Sequence, residues 1–187
     1  MTTKTQLLTI ADWEAMPHGD GNVYEIIEGE LFVSCSPGLT HQLVLFNLSG
    51  LFWSFLKTNP IGTVAPGPGV ILSNYSGVIP DLVFFGHDVR DELVKNDRVH
   101  GPPSLVVEIL SPGSSNRRRD RVVKLQLYAK HGVPEYWIID LKNKAIERYV
   151  NQDSSLVLTE TLGEDKTLTT PALPGFSCSI SDIFRNF

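Results

Sequence analysis

Cysteine is scarce. Cys35 and Cys178 are the only two among 187 residues; they lie far apart and form no CxxC pair. Two thiols at that spacing build neither a zinc site nor a disulfide framework, so a reduced, cytoplasmic setting is expected. Charge is sparse too, at 20% of residues, and leans acidic: 21 acidic against 16 basic side chains give a formal net charge of −5. That balance excludes a protein that coats nucleic acid through a wholly basic surface, but not a local basic groove. No long hydrophobic run occurs. The densest apolar stretch, Leu43–Leu56, is interrupted by Asn47, Ser49, Gly50 and Ser54, and is too short and too polar to span a bilayer. The opening MTTKTQLLTIADWEAM has no apolar core and no small-residue cleavage site. Neither a signal peptide nor a membrane attachment is therefore expected. There is no GxSxG elbow and no P-loop, since Gly67-Pro68-Gly69 lacks the following lysine. His18, His87, His100 and His131 show no metal-ligand spacing.

What is present is enough apolar material for a core, 42% of the chain. The length suits one domain, which buries about 70% of its unfolded surface and needs no disulfide to fold. A short helix is predicted over Thr9–Met16 with Thr9 as its cap. Val23–Ile27 and Glu30–Ser34 read as a hairpin turning at Glu28-Gly29. Ser36-Pro37 is expected to start a long helix that runs to about Lys57, stopped by Asn59-Pro60. That helix is apolar nearly all round, so it is central in the fold or buried in an oligomer. Short strands follow at Gly62–Ala65 and Val70–Ser73. Two nearly continuous apolar strands, Val78–Phe85 and Ser104–Ser111, read as covered on both faces. The charged stretch Gly86–Pro103 between them reads as a surface connection. A helix from Asn116 to about His131 precedes a strand at Glu135–Leu141, and Lys144–Val150 pairs with that strand. The pattern is α/β: a mixed central sheet flanked by helices, with an N-terminal β-hairpin. The expected division is one domain, 1–187, with a core of about 36–150 and decoration at 23–35 and 151–187.

Asp81 and Glu108 are each the lone ionisable group in an apolar strand. A buried unpaired carboxylate costs several kcal/mol, so such groups are paired, metal-bound or protonated. If the strands are neighbours the two carboxylates converge, and they repel unless a cation lies between them. Hard divalent ions such as Mg²⁺ take oxygen ligands and bridge to phosphate oxygens. Taken singly, Asp81 also fits a turn residue beside Pro80, and Glu108 a partner for some arginine. Downstream, Arg117, Arg118, Arg119 and Arg121 crowd the start of the Asn116 helix against its dipole. With Ser114 and Ser115 as caps, Ser111–Arg121 reads either as a phosphate-binding segment or as a solvated basic loop.

Together these residues resemble the PD-(D/E)XK nuclease superfamily, and more closely its Uma-two family of restriction-endonuclease-like proteins. The likeness rests on YEIIEGEL, on VIPDLVFF, on the stretch Leu105–Leu141 containing EILSP and GVPEYWIID, and on His41 in the first long helix. It covers roughly Tyr24–Tyr149. It implies a restriction-endonuclease-like core and hydrolysis of DNA phosphodiesters with Mg²⁺ or Mn²⁺. The resemblance implies Asp81 and Glu108 as the metal ligands, with the Ile109 carbonyl as a further donor. One departure matters: the superfamily places a lysine two residues after the glutamate, and here that residue is Leu110. The family commonly supplies the lysine from the next helix, where Lys124 fits. Lys124 lies four residues from Asp120, so an exposed helical pair is the plain alternative. Glu25 and Glu30 share one hairpin face; they line the cleft or simply face solvent. His41 is a candidate accessory group or a surface histidine. The predicted partner is DNA, with a homodimer formed through apolar helix or strand surfaces. A catalytically weak binding or assembly module, and a metal-dependent hydrolase of small phosphoesters, are the alternatives.

Overall fold

The structure, a computed structural model, describes residues 6–17, 19–111 and 118–186. Thr9 caps α1 (Ile10–Glu14) as expected: its amide and its hydroxyl both donate to the Asp12 carboxylate. β1 (Asn22–Ile27) and β2 (Glu30–Cys35) form the hairpin in the predicted register, Ile27 opposite Glu30. Glu28 and Gly29 both adopt positive φ, which a two-residue turn of this hand requires. The long helix α2 (Leu39–Thr58) begins two residues later than Ser36-Pro37 suggests. The Ser36 hydroxyl does not cap it but donates to the Gly21 carbonyl, tying the chain back to the hairpin.

β3 (Gly62–Pro66), β4 (Val70–Ser73) and β5 (Ser76–Val78) follow. The single strand expected over Val78–Phe85 is instead two. Pro80 has no N–H for a ladder, so β5 ends at Val78 and β6 (Leu82–Gly86) starts beyond Asp81, in a different sheet. The stretch expected as a plain surface connection also carries structure. It holds α3 (Arg90–Leu93), β7 (Val94–Lys95) and β8 (Arg98–His100), and β8 pairs in parallel with β4. After β9 (Leu105–Ile109), a π-helical segment Arg119–Lys124 runs into α4 (Leu125–Lys130). β10 (Glu135–Asp140), β11 (Ala145–Gln152), β12 (Ser155–Gly163), β13 (Thr167–Thr169), β14 (Ser177–Ser179) and α5 (Ile180–Ile183) complete the described chain.

Two six-stranded sheets result, ordered β2-β1-β5-β4-β8-β7 and β12-β11-β10-β9-β6-β3, with β13-β14 as a separate pair. Both large sheets are mixed: β9 and β10 are parallel, and their other neighbours run antiparallel. Strand alternation divides the core. Leu82, Phe84, Leu105, Val107 and Ile109 face α2, where Val44, Leu48, Phe52 and Leu56 meet them. Val83, Val106 and Leu110 face the other way, onto Leu127 and Tyr128 of α4 and onto Val70 and Val78 of the first sheet. The second sheet is thus covered on both faces, which explains its unbroken apolar strands. The segment beyond residue 150, expected as decoration, is packed into the α2 side: Leu168, Leu173, Ile180 and Ile183 are fully buried.

By length and composition alone α2 could cross a membrane. Its place explains the composition otherwise: one face is core, and Asn47 donates to the Ile183 and Arg185 carbonyls at the end of the C-terminal helix. The opposite face, Leu39, Phe46 and Trp53, is exposed.

Candidate active site

β6 and β9 run antiparallel with Leu82 opposite Val107, so the same register carried one residue further sets Asp81 opposite Glu108. Both carboxylates line one cavity of about 160 Å³, shared with Glu25, His41, Arg119, Asp120 and Lys124. Each comes from a different support. Asp81 sits at the Pro80 break, where its backbone carbonyl accepts from Gly67 N–H. Glu108 projects from the central strand β9 towards the π-helical segment. Glu25 arrives from β1 of the other sheet.

Glu108 is 3% exposed and accepts two hydrogen bonds on Oε1, from Lys124 Nζ at 2.7 Å and from Tyr128 OH at 2.8 Å. Lys124, 1% exposed, also reaches Glu25 Oε1 at 2.9 Å. Glu25 is itself fixed by the Ile79 amide, 2.8 Å from its Oε1. Arg119 lies 3.7 Å from Glu25 and donates to Asp120 at 3.1 Å. Asp81 Oδ2 accepts the Ile109 amide at 2.6 Å and lies 3.1 Å from His41 Nε2. His41 Nδ1 is buried with no hydrogen-bond partner among the described residues. Burial pushes Glu108 up to about 8, although Lys124 pulls the other way. Burial alone would lower Lys124, but Glu108 and Glu25 outweigh it and hold the ammonium charged, above its ordinary value. Burial likewise raises Asp120.

The π-helical segment explains how one helix start serves Glu25 twice. In an α-helix residues five apart diverge around the axis; the wider π-helix, bonded i→i+5, brings them closer to one face. Arg119 and Lys124 are five apart, and both reach Glu25. Asp120 and Lys124 are therefore no exposed helical pair: both are buried, and the Asp120 carbonyl accepts from Tyr136 OH at 3.0 Å.

The sequence candidates separate accordingly. Asp81, Glu108, Lys124, His41 and Arg119 come together. Arg121 does not belong with them. It pairs with Asp140 at 3.2 Å and with Glu147, because those part-buried carboxylates on β10 and β11 need a cation. Glu30 is also corrected: it sits exposed at the tip of the hairpin, while Glu25, on the same face, is the residue carried into the cavity. Arg118 is exposed, at the mouth of the segment. Arg117, Ser114 and Ser115 lie outside the described residues. Tyr128 is the group sequence reasoning missed, and Glu25 the one it left open between cleft and solvent. Tyr128 stands four residues after Lys124 on the same helix, which is the signal that could have found it.

A divalent cation fits this donor set by charge and by vacancy of oxygens. Four carboxylates (Glu25, Asp81, Glu108, Asp120) face two permanent cations, Arg119 and Lys124, and ionised they leave a surplus that one divalent ion would offset. Asp81 Oδ1 and Glu108 Oε2 accept no hydrogen bond from the described residues. No group of three His, Cys, Asp or Glu side chains close enough to cage a metal occurs among the described residues. Two carboxylates without a cage suit a hydrated ion such as Mg²⁺, which keeps several of its waters.

Comparison with known proteins agrees with this architecture. A crystal structure of a putative nuclease belonging to DUF820 from Anabaena variabilis superposes with a TM-score of 0.73 at 20% identity, over 95% of this chain and 97% of that one. That likeness shows a shared fold. The type IIG restriction endonuclease BpuSI gives a TM-score of 0.40 at 13% identity, over 77% of this chain and 15% of the enzyme. No curated protein matches the sequence. The family model described as "Putative restriction endonuclease" matches residues 10–181, nearly the whole chain, and the protein belongs to that family, Uma2.

Proposed function

We propose that the protein is a Mg²⁺-dependent endonuclease that hydrolyses phosphodiester bonds in DNA. The observation that carries this reading is the meeting of Asp81 and Glu108 in one cavity, with Lys124 bonded to Glu108 at 2.7 Å. Asp81 and Glu108 are the residues that would hold Mg²⁺ (or Mn²⁺). Such an ion neutralises charge on a scissile phosphate and makes water a stronger nucleophile near neutral pH. The chain's own groups supply the rest. Lys124, held charged by Glu25 and Glu108, stands ready to stabilise negative charge developing on the phosphate. The Ile109 amide and His41 fix the Asp81 carboxylate from opposite layers. Arg119 and exposed Arg118 are the cations placed to grip flanking phosphates.

The exposed face of α2 supports a homodimer. Leu39, Phe46 and Trp53 recur at seven-residue spacing, and no Asp, Glu, Lys or Arg interrupts the helix before Lys57. An uncharged stripe of this kind is suited to a second copy of itself.

The test is cleavage of plasmid, oligonucleotide and mononucleotide phosphoester substrates with Mg²⁺ or Mn²⁺, wild type beside Asp81→Ala. Wild type should cut DNA and lose at least about a hundredfold in rate on substitution, as removal of a key electrostatic group does. Activity unchanged by Asp81→Ala would remove the site assignment. Cleavage confined to the small phosphoester would replace the DNA reading. A second reading, a binding module without catalysis, draws on Lys124 already pairing with both Glu108 and Glu25. It predicts no heat of Mn²⁺ binding by calorimetry.

A further inference from the structure

Beside the carboxylate cavity lies another, of about 260 Å³, walled by Trp13, Tyr24, Ile79 and Arg98 among others. Val23 and Ile79 line both, and the two lie on opposite faces of the first sheet: Gly77, under Trp13, alternates with Val78 of the core. Ile79 is only two residues from Asp81, so the second cavity opens along the same chain segment that presents the first carboxylate.

Its cation is unusual for this molecule. The Arg98 guanidinium carbon lies 5.0 Å above the Trp13 ring. Trp13 is rigid beneath it: 5% exposed, its Nε1 donating to the Tyr24 carbonyl at 2.7 Å. Two glycines make room for the stack. A Cβ on Gly77 would stand 2.4 Å from the Trp13 ring, and one on Gly69 would stand 2.4 Å from an Arg98 terminal nitrogen. The guanidinium is therefore held in place by packing. Yet it has no ion pair and no hydrogen bond among the described residues. The contrast is with Arg119, Arg121 and Arg148, each of which is paired with a carboxylate. Five donors on a half-buried fork that no carboxylate engages suit an anion with paired oxygens. Asp20, in the chain between the lining residues Gly19 and Asn22, is engaged by Tyr24 OH and by the Asn22 amide.

We infer that Arg98, stacked on Trp13, is a subsite for the phosphate of a nucleotide flanking the one cut at Asp81 and Glu108. The subsite rests on the nuclease reading above and extends it by naming where the strand runs. It would leave the scissile cavity past Ile79, round the first sheet at Val23 and Ile79, and reach the Trp13–Arg98 stack on its outer face. Guanidinium on phosphate is a charge-assisted, two-pronged match, and removal of one such contact weakens binding roughly tenfold.

The experiment is methylphosphonate scanning. Oligonucleotides in which one phosphate at a time is made neutral are bound, by fluorescence anisotropy, to the wild-type chain and to Arg98→Gln. Neutralising one phosphate beside the cut should weaken wild type about tenfold and leave Arg98→Gln unaffected. That variant should also lower the dependence of log Kd on log salt by about one. Arg98→Lys should restore the salt dependence while losing the two-pronged part of the affinity. If Arg98→Gln fails to fold, the wild-type scan beside Arg98→Lys still decides: one phosphate must stand out in the first and shrink in the second. The inference is overturned if every phosphate behaves alike, or if Arg98→Gln and the sensitive phosphate act additively. The broader reading fails separately: wild type that neither binds nor cuts any DNA refutes the nuclease, whereas wild type that cuts without coupling to Arg98 refutes the subsite alone.

Discussion

Lys124 is the residue on which the site turns. A buried ammonium normally gives up its proton, but here Glu108 and Glu25 hold it charged. Lys124→Met should leave two buried carboxylates facing each other and cost about 3–5 kcal/mol, read as a drop in the urea midpoint. Glu108→Gln should relieve that tension in the absence of a divalent ion. Burial pushes Glu108 up to about 8 in the folded chain, against 4.5 for the ordinary carboxyl, with Lys124 pulling the other way. Between those values the folded state binds more protons than the unfolded, so metal-free stability falls as pH rises through that window. Thermal melts in chelator should show this slope in wild type and lose it in Glu108→Gln; equal slopes would contradict the burial argument. Cysteine offers an independent check. Burial pushes Cys178 up to about 12, while Cys35 is exposed. Alkylation at pH 8 should label Cys35 rapidly and Cys178 only on unfolding. At this scale Asp81 and Glu108 were legible because a lone carboxylate in an apolar strand demands a partner. Glu25 was not, because its hairpin face alternates buried and exposed ends: only tertiary placement separates Glu25 from Glu30.

Among the elements, the π-helical segment and α2 matter most. The helix expected from Asn116 to about His131 is π-helical over Arg119–Lys124 and α-helical over Leu125–Lys130 among the described residues. Hydrophobic spacing cannot distinguish the α-helical period from the slightly longer π-helical one over so short a stretch. The strand break at Pro80 was hidden for a similar reason: apolar residues flank it on both sides, so the run looks continuous until hydrogen bonding is counted. α2 has two distinct faces. Phe52, fully buried, meets Trp137 and Phe176 edge to face at 5.9 and 4.8 Å. Phe52→Ala should cost about 3–5 kcal/mol, measured by denaturant titration. Trp53, 64% exposed one residue later, should contribute little to a single chain's stability. Trp53→Glu is expected to leave the melting temperature within a few degrees and to convert the proposed dimer to a monomer in light scattering. A wild-type monomer at the same concentration would rule out α2 as an interface.

The molecule as a whole carries −5, yet that number hides its distribution. Several carboxylates are gathered around Lys124 and Arg119, while Arg98 and Arg118 remain without a carboxylate partner among the described residues. A nuclease built this way should bind DNA weakly without a divalent ion, since its own carboxylates repel phosphate, and more tightly with one. Affinity should fall steeply with salt. In the proposed function Asp81 and Glu108 hold the ion together. Anomalous diffraction from crystals soaked in Mn²⁺ tests it directly. One peak between the two carboxylates, absent from Asp81→Ala crystals, is the predicted result; no peak there, or a peak that survives the substitution, would contradict it.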